Sequence, residues 1–284
     1  DGTKAVGVEV DSGDDVFVVE GKEILLTSGA MKSPQILMLS GVGPADHLKE
    51  FNIPVVRDLP GVRDHPLVTA VYKAKGESPD VNVPLIQVCT QYTSEGFHLK
   101  SDMIISPTLM TSEHRPTQIE IDDDGSYLGL SAGIQLAVGS GELRLASADP
   151  NDPPYLDYNY LQEEFDRDRL RRGIRKVVEL ESHPALKALI NERITPTDEE
   201  LASDEALNLW MLKNVGTSHH ISCTCKMGPA DDPMAVVDQH GKIHGLQNIR
   251  VVDASIMPDC IRANTNATTI MIAEKIADYV IEGK

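Results

Sequence analysis

The sequence predicts a chain that mixes strands and helices, with an α+β layer in its middle and a short strand, loop and helix at its end. Three observations predict this. Short alternating apolar runs crowd the first 28 residues, helical periodicity dominates from residue 163, and a strand–loop–helix pattern closes the chain.

The elements follow in order. Val6, Val8 and Val10 alternate with polar neighbours, a second apolar run covers 16–20 after the turn-like D-S-G-D-D, and a third covers 23–28. Together they read as a β-meander inside a larger protein, with Asp1 as a cut or processed start. The stretch Gly29–Pro44 reads as a strand end, a glycine turn and a short helix. Ser33 suits the N-cap, Pro34 suits the first helical position, and Gly41 and Gly43 stop the helix. Strands are expected at 67–72, 103–105, 127–138 and 142–145. Helices are expected at 163–180, 184–190 and 199–212, then a strand within 248–255 and a last helix over 267–281.

Composition narrows the function classes. Across 284 residues, 26 Lys and Arg face 44 Asp and Glu, a formal net charge of −18. Nucleic acids and anionic membrane surfaces need clustered positive charge, so neither is an expected partner. At 41% hydrophobic and 25% charged residues the chain is globular rather than disordered. No apolar stretch is long enough to span a bilayer, and no basic segment leads into an apolar one at the start. Four cysteines (Cys89, Cys223, Cys225, Cys260) are too few to staple a chain of this size, and a cytoplasmic setting is the expectation.

Two segments carry chemistry. The first is Gly29–Pro44, for which an ordinary strand–turn–helix remains an equal reading. The second runs His219-His220-Ile221-Ser222-Cys223-Thr224-Cys225-Lys226-Met227-Gly228, followed later by Val251-Val252-Asp253-Ala254-Ser255 and Asn264-Thr265-Asn266-Ala267-Thr268. Adjacent histidines in a Ser/Thr/Cys loop are not a core pattern, so a chemical role and a structural one stand level. Asn264–Thr268 places hydrogen-bonding groups at the positive end of a helix, where they serve a ligand or simply cap. A metal module on His219, His220, Cys223 and Cys225 is disfavoured, because that spacing lacks the two-residue gap of a zinc knuckle. The acidic run Asp122–Asp124 reads as a solvated turn, the basic cluster 167–176 as a solvated helix face, and Met31, Met38, Met211 and Met271 as packing.

These segments resemble the glucose–methanol–choline (GMC) oxidoreductases of choline-dehydrogenase-like type. Gly29–Gly43 resembles that family's second signature. H-x-x-x-T-C-K-M-G from His220 and R-V-V-D-A-S-x-M-P…N-T-N-A from Arg250 resemble its C-terminal active-site blocks, and residues 140–161 resemble its substrate-domain strand pair. The resemblance implies an α/β plus α+β fold: residues 1–57 as part of a Rossmann-like FAD-binding domain, 58–212 as a substrate domain built on a mostly antiparallel sheet covered by helices, and 213–284 as the return to the FAD domain. The family's G-x-G-x-x-G is absent from these residues, so the resemblance implies the C-terminal portion of an enzyme whose Rossmann-like βαβ unit lies elsewhere.

The resemblance also implies the chemistry. Oxidation of an alcohol needs a hydride acceptor, the flavin N5, and a base for the hydroxyl proton. His220 falls on the family's catalytic histidine, His219 lines the pocket beside it, and Asn264 orients the substrate oxygen. Asp253 and Ala254 would lie near the ribityl chain and phosphates, Gly29 and Ala30 against the ADP half, and Thr265, Asn266 and Ala267 at the flavin pyrimidine. A hydroxynitrile lyase of the same fold is the runner-up, separated by whether any alcohol reduces the flavin. The expected partners are a small-molecule alcohol and, through an open strand edge, further copies of the chain. The chain by itself is expected to be inactive and free of FAD. Two departures stand out: a loop at 59–65 shorter than the family's, and Cys223 where the family has glycine.

Overall fold

The computed structural model describes residues 2–13, 15–56, 63–76, 84, 86–110 and 126–284. Asp1, the Leu59–Val62 part of the shortened loop, His114 and the acidic run Asp122–Asp124 lie outside the described residues. The chain opens with three strands, β1 Gly7–Asp11, β2 Val16–Glu20 and β3 Ile24–Leu26, where the alternating runs predict them, but they do not form the expected meander: β1 pairs with β2, whereas β3 runs parallel to residues 249–251. Helices α1 Gly29–Leu39 and α2 Ala45–Glu50 follow. Next come β4 Pro66–Ala74, β5 Thr90–Tyr92, β6 Met103–Met110, β7 Tyr127–Ile134, β8 Glu142–Arg144 and β9 Tyr155–Asp157.

The long periodic segment is α3 Glu164–Leu180. After it, the sequence reading is corrected twice. The 184–190 helix is only α4 Pro184–Lys187, because β10 Ile190–Thr195 joins the sheet beside β4. The 199–212 helix is two, α5 Asp198–Leu201 and α6 Asp204–Asn214. Thr197 and Glu200 form a capping box on the first, and the Ser203 hydroxyl accepts the Ala206 N–H to start the second. β11 Gly216–Thr217, β12 Ile249–Val251 and α7 Thr265–Ile281 complete the chain.

The residues fall into two compact units: 1–64, 140–159 and 220–284 in one, 65–139 and 160–219 in the other. The pair β8–β9 therefore belongs with the first unit. Leu143 and Leu145 pack there with Met38 and Leu48.

The first unit holds three small sheets. β1 and β2 pair antiparallel, β8 and β9 likewise, and β3 runs parallel to β12 with Ile24 beside Ile249 and Leu26 beside Val251. Its core gathers Leu26, Leu37, Val237, Val251, Ile256 and Ile276. Arg250, 2% exposed, binds Glu23 at 2.6 Å and the carbonyls of His240 and Lys284.

The second unit is an antiparallel sheet in the order β10-β4-β7-β6-β5, with β11 also on β4. α3 lays Leu170, Ile174 and Val177 into its core. Gly173 lets it approach: a Cβ there would meet Met103 at 3.1 Å and Ala132 at 3.2 Å. The basic stretch on this helix is a solvated face only in part: Arg172, Arg175 and Lys176 are exposed, whereas Arg169 and Arg171 are 1% and 6% exposed. Arg169 bonds Asp102 at 2.8 Å, Asp166 at 2.5 Å and the Leu136 carbonyl, between the rings of Phe97 and Phe165. Asp166 also accepts the N–H groups of Val138 and Gly139, and Asp102 the N–H and the hydroxyl of Ser94. Met38 and Met211 pack as expected, whereas Met31 and Met271 are exposed. Among the described residues no helix is long and apolar enough to cross a membrane.

Because the pair is buried, Arg169→Ala leaves two carboxylates without their cation and should cost about 3–5 kcal/mol. A urea titration of the chain measures this; a midpoint indistinguishable from the parent would contradict it.

Candidate functional site

The site is built where α1 meets the exit of β12. Asp253 is 5% exposed and stands just after the strand. Its carboxylate accepts the Ser33 hydroxyl at 2.6 Å, the Gly29 N–H at 3.0 Å and the Ser255 N–H at 2.8 Å. The last of these bonds caps a 3₁₀ turn over Ala254–Ile256. Hydrogen bonds to an ionised carboxylate are the strong kind, so one side chain ties the start of α1 to the turn after β12.

This arrangement corrects the reading of α1. The helix begins at Gly29, four residues before Ser33, and Pro34 lies inside its second turn. Ser33 does not cap the helix. Its hydroxyl is spent on Asp253 and on accepting the Ser28 N–H. Gly29 has φ +84°, and a Cβ placed there would meet nothing within 4 Å, so its backbone faces open space. Ala30 is buried, and its carbonyl accepts the Thr224 hydroxyl at 2.7 Å.

Thr224 belongs to the histidine segment, which lies along the 3₁₀ turn. Cys223, Cys225 and Met227 donate their N–H groups to the carbonyls of Ala254, Ser255 and Ile256 in turn. Gly29, Ala30, Asp253, Ala254 and residues 223–227 are thus brought together. His220 enters from one side with its N–H on the Asp64 carboxylate at 3.1 Å. Ser222 exchanges backbone hydrogen bonds with Arg63 at 2.9 and 3.0 Å. Asp64, 6% exposed, and Thr224 are site residues the sequence reading missed; their proximity to His220 and Ala30 is tertiary and leaves no local pattern.

His219 is placed differently. It is exposed, left-handed at φ +60°, and donates its N–H to Thr217. The division between the two units falls between it and His220.

α7 begins two residues earlier than the spacing predicts, with Asn264 as the capping residue. Its side chain makes no capping hydrogen bond, so it is not spent on the helix. Asn266 and Ala267 are exposed and Thr265 half-buried in the first turn, whose N–H groups precede the helical ladder. His220 and Asn264 are two residues from Ser222 and four residues from Cys260, whose side chains meet at 3.4 Å.

The thiols divide by environment. A hydrogen bond from Cys260 is the main cause holding the Cys223 thiol below its ordinary pKa, against its burial. Burial pushes Cys225 up to about 12. Among the described residues no cluster of three or more His, Cys, Asp or Glu could hold a metal ion.

Comparisons with known proteins fall on these same segments. Two models of the GMC oxidoreductase family match, one over residues 1–68 and the other over 137–273. Oxygen-dependent choline dehydrogenases from Pectobacterium carotovorum and Pseudomonas savastanoi are each 37% identical over 99% of this chain. That match covers 54% of each of them, so the chain spans about half the length of the curated relatives it matches. Pyridoxine 4-oxidase from Mesorbium loti superposes with TM-score 0.87 at 26% identity, over 98% of this chain and 55% of that one. A formate oxidase shares the fold, with TM-score 0.87 at 21% identity, over 98% of this chain and 57% of that one.

Replacing Asp253 with Ala would orphan three donors and should lower the unfolding free energy by about 3 kcal/mol, and Ser33→Ala by about 1 kcal/mol. Equal effects of the two changes in urea unfolding would show that Asp253 is not the hub.

Proposed function

The chain belongs to the GMC oxidoreductase family, and on that premise we propose that it carries the proton-handling half of an FAD-dependent, choline-dehydrogenase-like alcohol oxidoreductase. The observation that supports this most is the placing of two polar residues beside the Ser222–Cys260 contact: His220, whose backbone N–H is held by Asp64 two residues before Ser222, and Asn264, four residues after Cys260, a helix-capping residue whose side chain does not cap.

The residues present suit a flavin on two counts. Gly29 offers an open backbone surface, and the first turn of α7 offers unpaired N–H donors at a positive helix end. Gly29 and Ala30 would hold the adenine half, Ala254 the linking chain, and Thr265, Asn266 and Ala267 the ring edge. Asp253 would act through Gly29 rather than by contact, since its carboxylate already serves three donors. When bound, FAD accepts the hydride from the alcohol carbon.

His220 is proposed to take the hydroxyl proton, which suits imidazole because its ordinary pKa lies near neutrality. With its main chain fixed to Asp64, the ring has only its two side-chain torsions to search. Asn264 donates an amide hydrogen to the substrate oxygen and stabilises the alkoxide as it forms. The net charge of −18 favours a cationic over an anionic alcohol at the encounter stage, in keeping with the choline relatives.

In the flavin-loaded protein, His220→Ala should lower kcat/KM about 10²–10⁴-fold, the usual worth of a general base, with His219→Ala costing far less. The opposite ranking would move the base to His219. The 284-residue chain purified alone carries no G-x-G-x-x-G and should be colourless after desalting. Retained flavin absorbance at visible wavelengths would refute that expectation.

A further inference from the structure

Cys223, Ser222 and Cys260 form a compact sulfur–hydroxyl–sulfur cluster in the first unit. The Cys223 thiol donates to Ser222 Oγ at 3.4 Å, and that oxygen lies 3.4 Å from Cys260 Sγ. Cys223 holds φ +67°, a left-handed backbone that a β-carbon-bearing residue adopts only under strain. The residue is 5% exposed, yet with Arg63, Lys226, Pro258 and Asp259 it lines a cleft of about 810 Å³. Arg63 is fixed there by its backbone bonds to Ser222 and by Asp259 at 3.1 Å; hydrogen bonds from Cys260 and Ser222 favour a thiolate at Cys223, while the Asp259 charge opposes it more than the Arg63 charge helps.

We propose that Cys223 and Cys260 are a redox pair: Cys223 is oxidised by a hydroperoxide entering this cleft and Cys260 resolves it to a disulfide. The Cys223 thiolate attacks one peroxide oxygen, an S–O bond forms, and the O–O bond breaks. The departing alkoxide or hydroxide takes up the proton. The Cys260 sulfur then displaces the oxygen of the sulfenic acid, an S–S bond forms, and the Cys260 proton leaves with the hydroxide as water. Two thiols lose two electrons and one hydroperoxide is reduced to an alcohol and water. The other cysteines lack this environment: Cys225 is 1% exposed with its thiol pushed up to about 12, and Cys89 is exposed with no thiol partner among the described residues.

Such a bond would join the residue three after His220 to the residue four before Asn264, and so would rearrange the proposed proton-handling groups. That consequence rests on the proposed function, whereas the thiol chemistry does not.

The test treats the reduced 284-residue chain with stoichiometric hydrogen peroxide, followed by thiol counting and tryptic mapping. The expected result is loss of two of the four thiols. A dithiothreitol-reversible cross-link should join the peptide of Cys223 and Cys225 to that of Cys260, with Cys89 still alkylatable. The cross-link should persist in Cys225→Ser and vanish in Cys223→Ser. In Cys260→Ser, dimedone should trap a sulfenic acid on Cys223. A cross-link that survives Cys223→Ser, or oxidation confined to Cys89, would overturn the proposal. Neither readout involves flavin or alcohol, so their failure leaves the assignment of His220 standing.

Discussion

The Asp253 carboxylate joins parts of the chain that sequence keeps 220 and 224 residues apart, namely Ser33 and Gly29 on one side and the end of β12 on the other. Parallel pairing of β3 with β12 brings the two strand ends level, and the carboxylate then fixes the turn that leaves each. The histidine segment follows from this, because its N–H groups at 223, 225 and 227 need the carbonyls of the 3₁₀ turn that Asp253 caps. Thr224 closes the circuit by bonding the Ala30 carbonyl at the start of α1. A buried acceptor serving three donors leaves little freedom for alternative packings, so the framework of the candidate site is preorganised.

The second unit solves its own problem independently. Its β7 strand is buried throughout, with α3 supplying the apolar cover. The cost of placing a guanidinium in that core is offset by two carboxylates, a carbonyl and two aromatic faces around Arg169. Both units leave apolar side chains uncovered: Phe17, Val18 and Val19 of β2, Leu25 of β3, and Ile270 and Met271 of α7 in the first, and Val88, Leu189, Leu209 and Leu212 in the second.

Much of this was legible in the sequence, and the misreadings share a cause. Strands β1, β2, β3 and β4 and helices α3 and α7 follow from local periodicity, and the structure places them within a few residues of the expectation. Ser33-Pro34 has every local mark of a helix start, but the serine hydroxyl is claimed by a residue 220 positions away. β10 was hidden because a polar edge strand beside β4 carries no clean alternation, and the split between α5 and α6 because one capping serine interrupts a continuous apolar period. Among the candidate site residues, the glycine turn, Asp253 and the Asn264 helix end were visible as motifs. Asp64 was not, because its role is to hold the backbone of a residue 156 positions later.

The central claim is that this framework delivers His220 and Asn264 to one substrate oxygen. A crystal structure of the flavin-loaded protein with a bound substrate-like alcohol tests it most directly. The account predicts a His220 ring nitrogen and the Asn264 amide nitrogen each about 3 Å from the alcohol oxygen, with Asp253 still bonded to Gly29 and Ser33. An alcohol oxygen more than about 5 Å from Asn264, or one facing His219 in place of His220, would contradict it.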